Sequence, residues 1–205
     1  SRSDGSAPSA RDAYAIWTGS EMMIWGGGNY RCAPTCGFVY YNCGGRYHPA
    51  TDSWLPTSSG ANVPAPRAGN TVVWIGSEMI VWGGNTAGSV QVNTGGRYNP
   101  ATNSWLPTST GAKVPAARSL HVAVWSGSRM IVWGGVNCPG SPCGSLPVNY
   151  NSGGKYDPPT DSWTPPSTRA NVPPASVGPG PVCPGAERGV WARSPGRANP
   201  VAAPH

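Results

Sequence analysis

Short apolar runs punctuated by glycine dominate the chain. Ala15-Ile16-Trp17 is followed, across a Gly-Ser step, by Met22-Met23-Ile24-Trp25 and then by Gly26-Gly27. The same order returns as Val72-Val73-Trp74, Met79-Ile80-Val81-Trp82 and Gly83-Gly84, and again as Ala123-Val124-Trp125, Met130-Ile131-Val132-Trp133 and Gly134-Gly135. Each unit then passes through a variable loop to Gly-Gly-(Arg/Lys)-Tyr, with a tryptophan seven residues past the tyrosine: Tyr47 and Trp54, Tyr98 and Trp105, Tyr156 and Trp163. Equivalent tryptophans lie 51, 57 or 58 residues apart. Runs this short, rich in β-branched and aromatic residues and bounded by glycine, predict strands, and no helical period of useful length interrupts them. The Gly-Ser step predicts a tight hairpin, and Asn99-Pro100-Ala101-Thr102-Asn103-Ser104 a second turn. Each unit therefore predicts four antiparallel strands, roughly 68–75, 78–83, 95–99 and 103–107 in the middle copy.

The Gly-Gly after the second strand, the tyrosine, the tryptophan seven residues on and a period near ~50 residues resemble the kelch repeat family. The resemblance covers about residues 11–168. It implies an all-β fold, a kelch-type β-propeller with three four-stranded antiparallel blades in an incomplete ring; past it, a stretch rich in Ala, Gly, Pro and Arg without strand signal is expected to be a disordered C-terminal tail. The expected organisation is a linker from a preceding blade (1–10), blade 1 (11–66), blade 2 (67–117), blade 3 (118–174) and a low-complexity or frameshifted tail (175–205). Propellers close with roughly four to eight blades. Three copies therefore predict a fragment of a larger ring, or self-association through open blade edges, since the end blades would expose apolar faces.

Nine of the ten tryptophans (Trp17, Trp25, Trp54, Trp74, Trp82, Trp105, Trp125, Trp133 and Trp163) occupy three repeat positions. A residue demanded in every blade is explained by blade-to-blade packing rather than by a sugar platform. The paired glycines allow a backbone geometry or close approach that a Cβ would block. Arg11, Arg67 and Arg118 recur at one position, and Arg46, Arg97 and Lys155 at another. They are expected to hold carbonyls or carboxylates between blades, with a channel for an anionic ligand as the alternative.

Antiparallel order places the 2–3 and 4–1 loops on one end of each blade. The 2–3 loops, about 28–43, 85–94 and 136–152, vary most, and variable loops on a rigid scaffold commonly carry function. Tyr30, Phe38, Tyr40, Tyr41 and Tyr150 are the candidate contact residues there, with the 4–1 connections near 57–66 and 108–117 beside them. Packing of the loops' own interiors is the competing explanation for these rings. Cys32, Cys36, Cys43, Cys138 and Cys143 also lie in the 2–3 loops, where disulfides are favoured over zinc: Cys138 with Cys143, and Cys32 or Cys36 with Cys43. That places the protein outside the cytoplasm, as an extracellular, periplasmic or cell-surface protein.

The formal net charge of +6 does not change this picture, because six of the fourteen basic residues are spread around the repeats; no nucleic-acid partner is expected. No stretch is long and apolar enough for a membrane span. A galactose-oxidase-like copper site would require two histidines and two tyrosines, one of them linked to a cysteine, whereas the histidines are His48, His121 and His205. The Ser-x-Asp-x-Gly-x-Thr-Trp box of sialidase-like propellers is absent, and no Ser-His-Asp set is recognisable. The expectation is a non-catalytic scaffold without cofactor that recognises a protein or glycan through the 2–3 and 4–1 loop face. The alternative is part of a secreted galactose-oxidase-like or hydrolytic propeller enzyme whose active residues lie in other blades.

Overall fold

The structure, a computed structural model, describes residues 7–32, 35–138 and 147–166. The tail at 175–205 lies outside the described residues. Three successive antiparallel sheets make up the rest. The first holds β1 (Asp12–Trp17), β2 (Met22–Cys32), β3 (Cys36–Tyr40), β4 (Gly44–His48) and β5 (Ser53–Pro56), in the order β1-β2-β4-β5 with β3 paired to the far end of β2. The second holds β6 (Thr71–Trp74), β7 (Met79–Trp82), β8 (Asn85–Thr86), β9 (Val90–Gln91), β10 (Gly95–Asn99) and β11 (Ser104–Pro107). Its order is β6-β7-β10-β11, and β8 and β9 form a separate small hairpin. The third repeats this with β12 (Val122–Trp125), β13 (Met130–Trp133), β14 (Val136–Asn137), β15 (Val148–Asn149), β16 (Gly153–Asp157) and β17 (Ser162–Thr164). Among the described residues one 3₁₀ turn, Ala87–Ser89, is the only helical feature. The fold is all-β, three four-stranded blades whose ring is not closed among the described residues.

The first strands β1, β6 and β12 pack against one another, so they are innermost, and the fourth strands form the outer edges. In the middle blade the first two strands are shorter than the sequence predicts. Gly69 (φ 63°) turns the chain ahead of β6, and Gly83 and Gly84 (φ 68° and 94°) end β7. A side chain at Gly84 is also excluded by space, because its Cβ would lie 2.7 Å from the Ala68 carbonyl oxygen.

Each blade has two apolar faces, and each seam joins the face of one blade to the opposite face of the next. Met23 and Trp25 of blade 1 pack on Met79, Val81, Tyr98 and Trp105 of blade 2. The far face of blade 2, Val73, Ile80 and Trp82, packs on Met130, Val132, Tyr156 and Trp163 of blade 3. Trp25 meets Trp105 at 5.2 Å between ring centroids, and Trp82 meets Trp163 at 5.1 Å, both tilted. The Trp105 indole lies over Gly96, where a Cβ would come within 3.0 Å of the ring and 2.6 Å of Pro64.

Polar groups repeat across the seams as faithfully. Trp105 Nε1 donates to the Ser58 carbonyl and Trp163 Nε1 to that of Ser109. The Ser58 and Ser109 amides donate to Asn103 Oδ1 and Asp161 Oδ1 in the following blades. Asn103 and Asp161 take positive φ at their turns (48° and 46°), which short polar side chains tolerate. Arg46 pairs with Glu21 in its own blade and donates to the Pro100 carbonyl of the next; Arg97 does the same with Glu78 and Pro158.

Not every repeat tryptophan is buried between blades. Trp17 stands on the outward face of blade 1 and is 56% exposed, and on the opposite outward face of blade 3 Val122 and Val124 are also exposed. The position is the same as that of Trp74 and Trp125; what differs is the lack of a described blade against it. Truncating Trp105 to alanine is therefore expected to cost about 3–5 kcal/mol, and truncating Trp17 about 1 kcal/mol or less. Urea unfolding of the two variants checks this, and equal losses would contradict seam packing as the source of stability.

Candidate binding face

The variable 2–3 loops are hairpins rather than irregular coils. In blade 1, β2 runs on beyond the sheet and pairs with β3 from Gly28↔Tyr40 to Cys32↔Cys36. In blades 2 and 3 the counterparts are the short pairs β8/β9 and β14/β15. The three hairpins touch: Asn85 Nδ2 donates to the Tyr40 hydroxyl at 3.1 Å, and the Cys138 amide donates to Gln91 Oε1 at 3.2 Å. One continuous surface results at this end of the blades.

Period two puts Gly28, Tyr30 and Cys32 on the same side of the blade 1 hairpin as their partners Tyr40, Phe38 and Cys36. Tyr30 is 68% exposed and Phe38 38%. Phe38 meets Tyr40 edge-on at 4.8 Å and lies over Gly28, where a Cβ would collide with its ring. A disulfide between Cys32 and Cys36 closes the tip. This corrects the expected pairing with Cys43: Cys32 and Cys36 are directly opposed on adjacent strands, while Cys43 keeps an exposed free thiol whose Sγ accepts from Arg11 at 3.3 Å. Cys138 is buried; Cys143 lies outside the described residues.

Tyr41 and Tyr150 are placed differently from the other candidates. The Arg11 guanidinium lies 4.0 Å from the Tyr41 ring centre, and that of Arg118 lies 4.2 Å from Tyr150. The Tyr41 hydroxyl donates to Asn29 Oδ1. Both rings are half-buried struts at the hairpin bases. A sequence signal for this existed: in blades 1 and 3 the recurring arginine is accompanied by a tyrosine at the end of the loop, and in blade 2 the corresponding residue is Val92.

The first arginine set does not bridge blades as expected. Arg67 donates to the carbonyls of Ala65, Gly83 and Thr94 and to Thr94 Oγ1, all at or inside its own blade. Arg118 repeats this with Ala116, Gly134 and Ser152, and Arg11 with Ser9, Gly26 and Cys43. Planar guanidinium geometry suits several converging carbonyls, so each arginine ties the hairpin base to the start of the first strand. Arg67 is 1% exposed, and burial lowers its pKa to about 10. It does not line an open channel.

His121 is buried in the seam between blades 2 and 3. Its Nε2 shares a 2.8 Å hydrogen bond with Thr71 Oγ1, and its ring meets Trp82 edge-on at 5.2 Å. Burial, with Arg118 nearby, pushes its pKa down to about 3. His48 stands exposed at the end of β4, and His205 lies outside the described residues. Among the described residues no group of three or more His, Cys, Asp or Glu side chains is arranged to hold a metal ion.

Rigid four-stranded blades carrying a row of hairpins at one end define a propeller-type scaffold. The KLHDC2/KLHL20/DRC7 Kelch-repeats domain matches residues 12–184, and the chain belongs to this kelch-repeat family. Kelch-repeat domains are protein-binding propeller modules and are generally not catalytic. A search of curated proteins returns no match.

The state of His121 predicts a pH dependence. An imidazole at about 3 in the folded chain and 6.5 in the unfolded one binds its proton more readily when unfolded. Its contribution to stability is fully present above pH 6.5 and is lost as pH falls toward 3, by at most about 1.4 kcal/mol per pH unit. His121→Asn, which installs the residue found at the equivalent position 70, is expected to flatten the pH dependence of the urea midpoint relative to the parent chain across this window. An unchanged slope would refute a neutral buried imidazole.

Proposed function

We propose that the chain is a non-catalytic recognition module that binds another protein through its hairpin face, outside the cytoplasm. The observation that carries this is the Tyr30–Phe38 pair, an exposed cross-strand aromatic pair on a hairpin closed by Cys32–Cys36. Exposed aromatic rings on a preorganised surface are what binding hot spots require, because little conformational freedom is lost when they dock. Loops on a rigid scaffold are the usual place for such rings. In the 4–1 connections Ser58 and Pro64 are already engaged by the next blade, so the hairpins rather than these connections are read as supplying the contacts.

The alternative reading, a galactose-oxidase-like or hydrolytic propeller enzyme, draws its active residues from other blades. His121 is enclosed in a seam, and His48 stands alone on a turn.

Two measurements test the proposal. A photo-crosslinker placed at position 30 is expected to capture a protein partner that the same crosslinker at Ser77, on the opposite end, does not. Tyr30→Ala/Phe38→Ala is expected to weaken that capture by about tenfold or more. Full partner binding by a variant lacking 28–43 would sink the site assignment. For the compartment, protein isolated under alkylating conditions should carry Cys32 and Cys36 unmodified as a disulfide while Cys43 reacts, since such bonds persist in oxidising environments. Both thiols alkylated would overturn the extracytoplasmic placement.

A further inference from the structure

At the end of the blades opposite the hairpins, the seam between blades 2 and 3 opens into a cleft of about 530 Å³. That is the size range of small-molecule sites. Ile75 and the half-buried Trp125 form its apolar base, at the end of the seam core they share. One wall carries Glu78 and Arg97, paired at 2.8 Å, and the other Arg129 and Asp157, paired at 3.2 Å. Ser77 and Ser128 add hydroxyls at the rim.

The cleft departs from the repeat where it is lined. The equivalent residues at the seam of blades 1 and 2 are Thr18 for Ile75, Glu78 for Arg129, Asn99 for Asp157 and Ala101 for Pro159. The turns are otherwise close copies, so these changes make this seam more apolar at its base and give it a second ion pair.

We propose that this cleft binds a neutral saccharide unit, independently of the hairpin face. A pyranose presents an apolar C–H face and a rim of hydroxyls. Trp125 and Ile75 match the first. The second matches Asp157 and Arg129, whose side chains keep 20% and 42% exposure and retain acceptor and donor capacity beyond their one contact. Both acids are already neutralised by arginines, so an anion would have to break an existing pair, whereas vicinal hydroxyls bond to the pairs as they stand. A saccharide is favoured over a peptide because the polar groups lie on both walls around a small base, with no extended strand edge to continue.

The test titrates the whole chain with cellobiose, lactose and maltose, following tryptophan fluorescence and saturation-transfer NMR, with inorganic phosphate and glycyl-proline as comparators. At least one disaccharide is expected to saturate in the millimolar range. Asp157→Asn and Arg129→Gln should each weaken it roughly tenfold without moving the thermal midpoint, and Tyr30→Ala should leave it unchanged. The proposal is overturned if no disaccharide saturates, if binding survives both cleft variants, or if phosphate or the dipeptide binds more tightly. None of these outcomes bears on protein binding at the hairpins, so the two readings fail separately.

Discussion

The tilted tryptophan pair across each seam, Trp25 on Trp105 and Trp82 on Trp163, is the contact on which the rest of the structure depends. A four-stranded blade is too thin to bury either of its own faces, so its apolar residues have to be covered by the next blade. An indole covers a large area for two frozen torsions. Its outer member is held in place from behind by a bare Gly-Gly platform and by a proline from the linker, and from the side by a hydrogen bond to a linker carbonyl. Packing, backbone geometry and polar satisfaction therefore all repeat together, which is why the sequence period is so clear.

That dependence divides the molecule into a part that cannot vary and a part that can. The turn end is closed by Asn103 and Asp161, whose side chains reach the preceding linker, and by the Arg46–Glu21 and Arg97–Glu78 pairs. The hairpin end is anchored by Arg11, Arg67 and Arg118, which bond main-chain carbonyls, and by backbone hydrogen bonds such as that from the Arg67 amide to the Tyr41 carbonyl, contacts that impose little on hairpin sequence or length. The long, disulfide-closed hairpin of blade 1 and the short one of blade 2 sit on the same base. Variation at this end leaves the seams undisturbed.

The candidate site was only partly legible in the sequence. Tyr30 and Phe38 were candidates from loop position alone; that they face each other across a hairpin follows from strand register. Tyr41 and Tyr150 looked equivalent to them, but the arginines that stack on them, Arg11 and Arg118, stand 30 and 32 residues earlier in the chain, beyond any local rule; the pairing follows from the fold bringing the first strand beside the loop's end. The Cys32–Cys36 bond depended on strand register, which sets the two residues opposite each other and leaves Cys43 at the hairpin base beside Arg11. His121 reads in the sequence as an unassigned titratable group, and only its enclosure by Trp82 and Thr71 makes it a neutral packing residue.

What the sequence determined by itself was everything that repeats: the strands, their order, the tight turns, the glycine pairs and the tryptophan positions. These are short-range patterns, set by backbone sterics and side-chain alternation, and they recur three times. What only the tertiary structure decided was which groups from different blades meet. The same residue type is half-buried as Trp74 or Trp125 beside a neighbouring blade and exposed as Trp17 without one described, and the cleft over Trp125 exists only because two blades lean together. Contacts across a seam join residues some fifty positions apart, and no local preference records the angle at which one blade lies on the next.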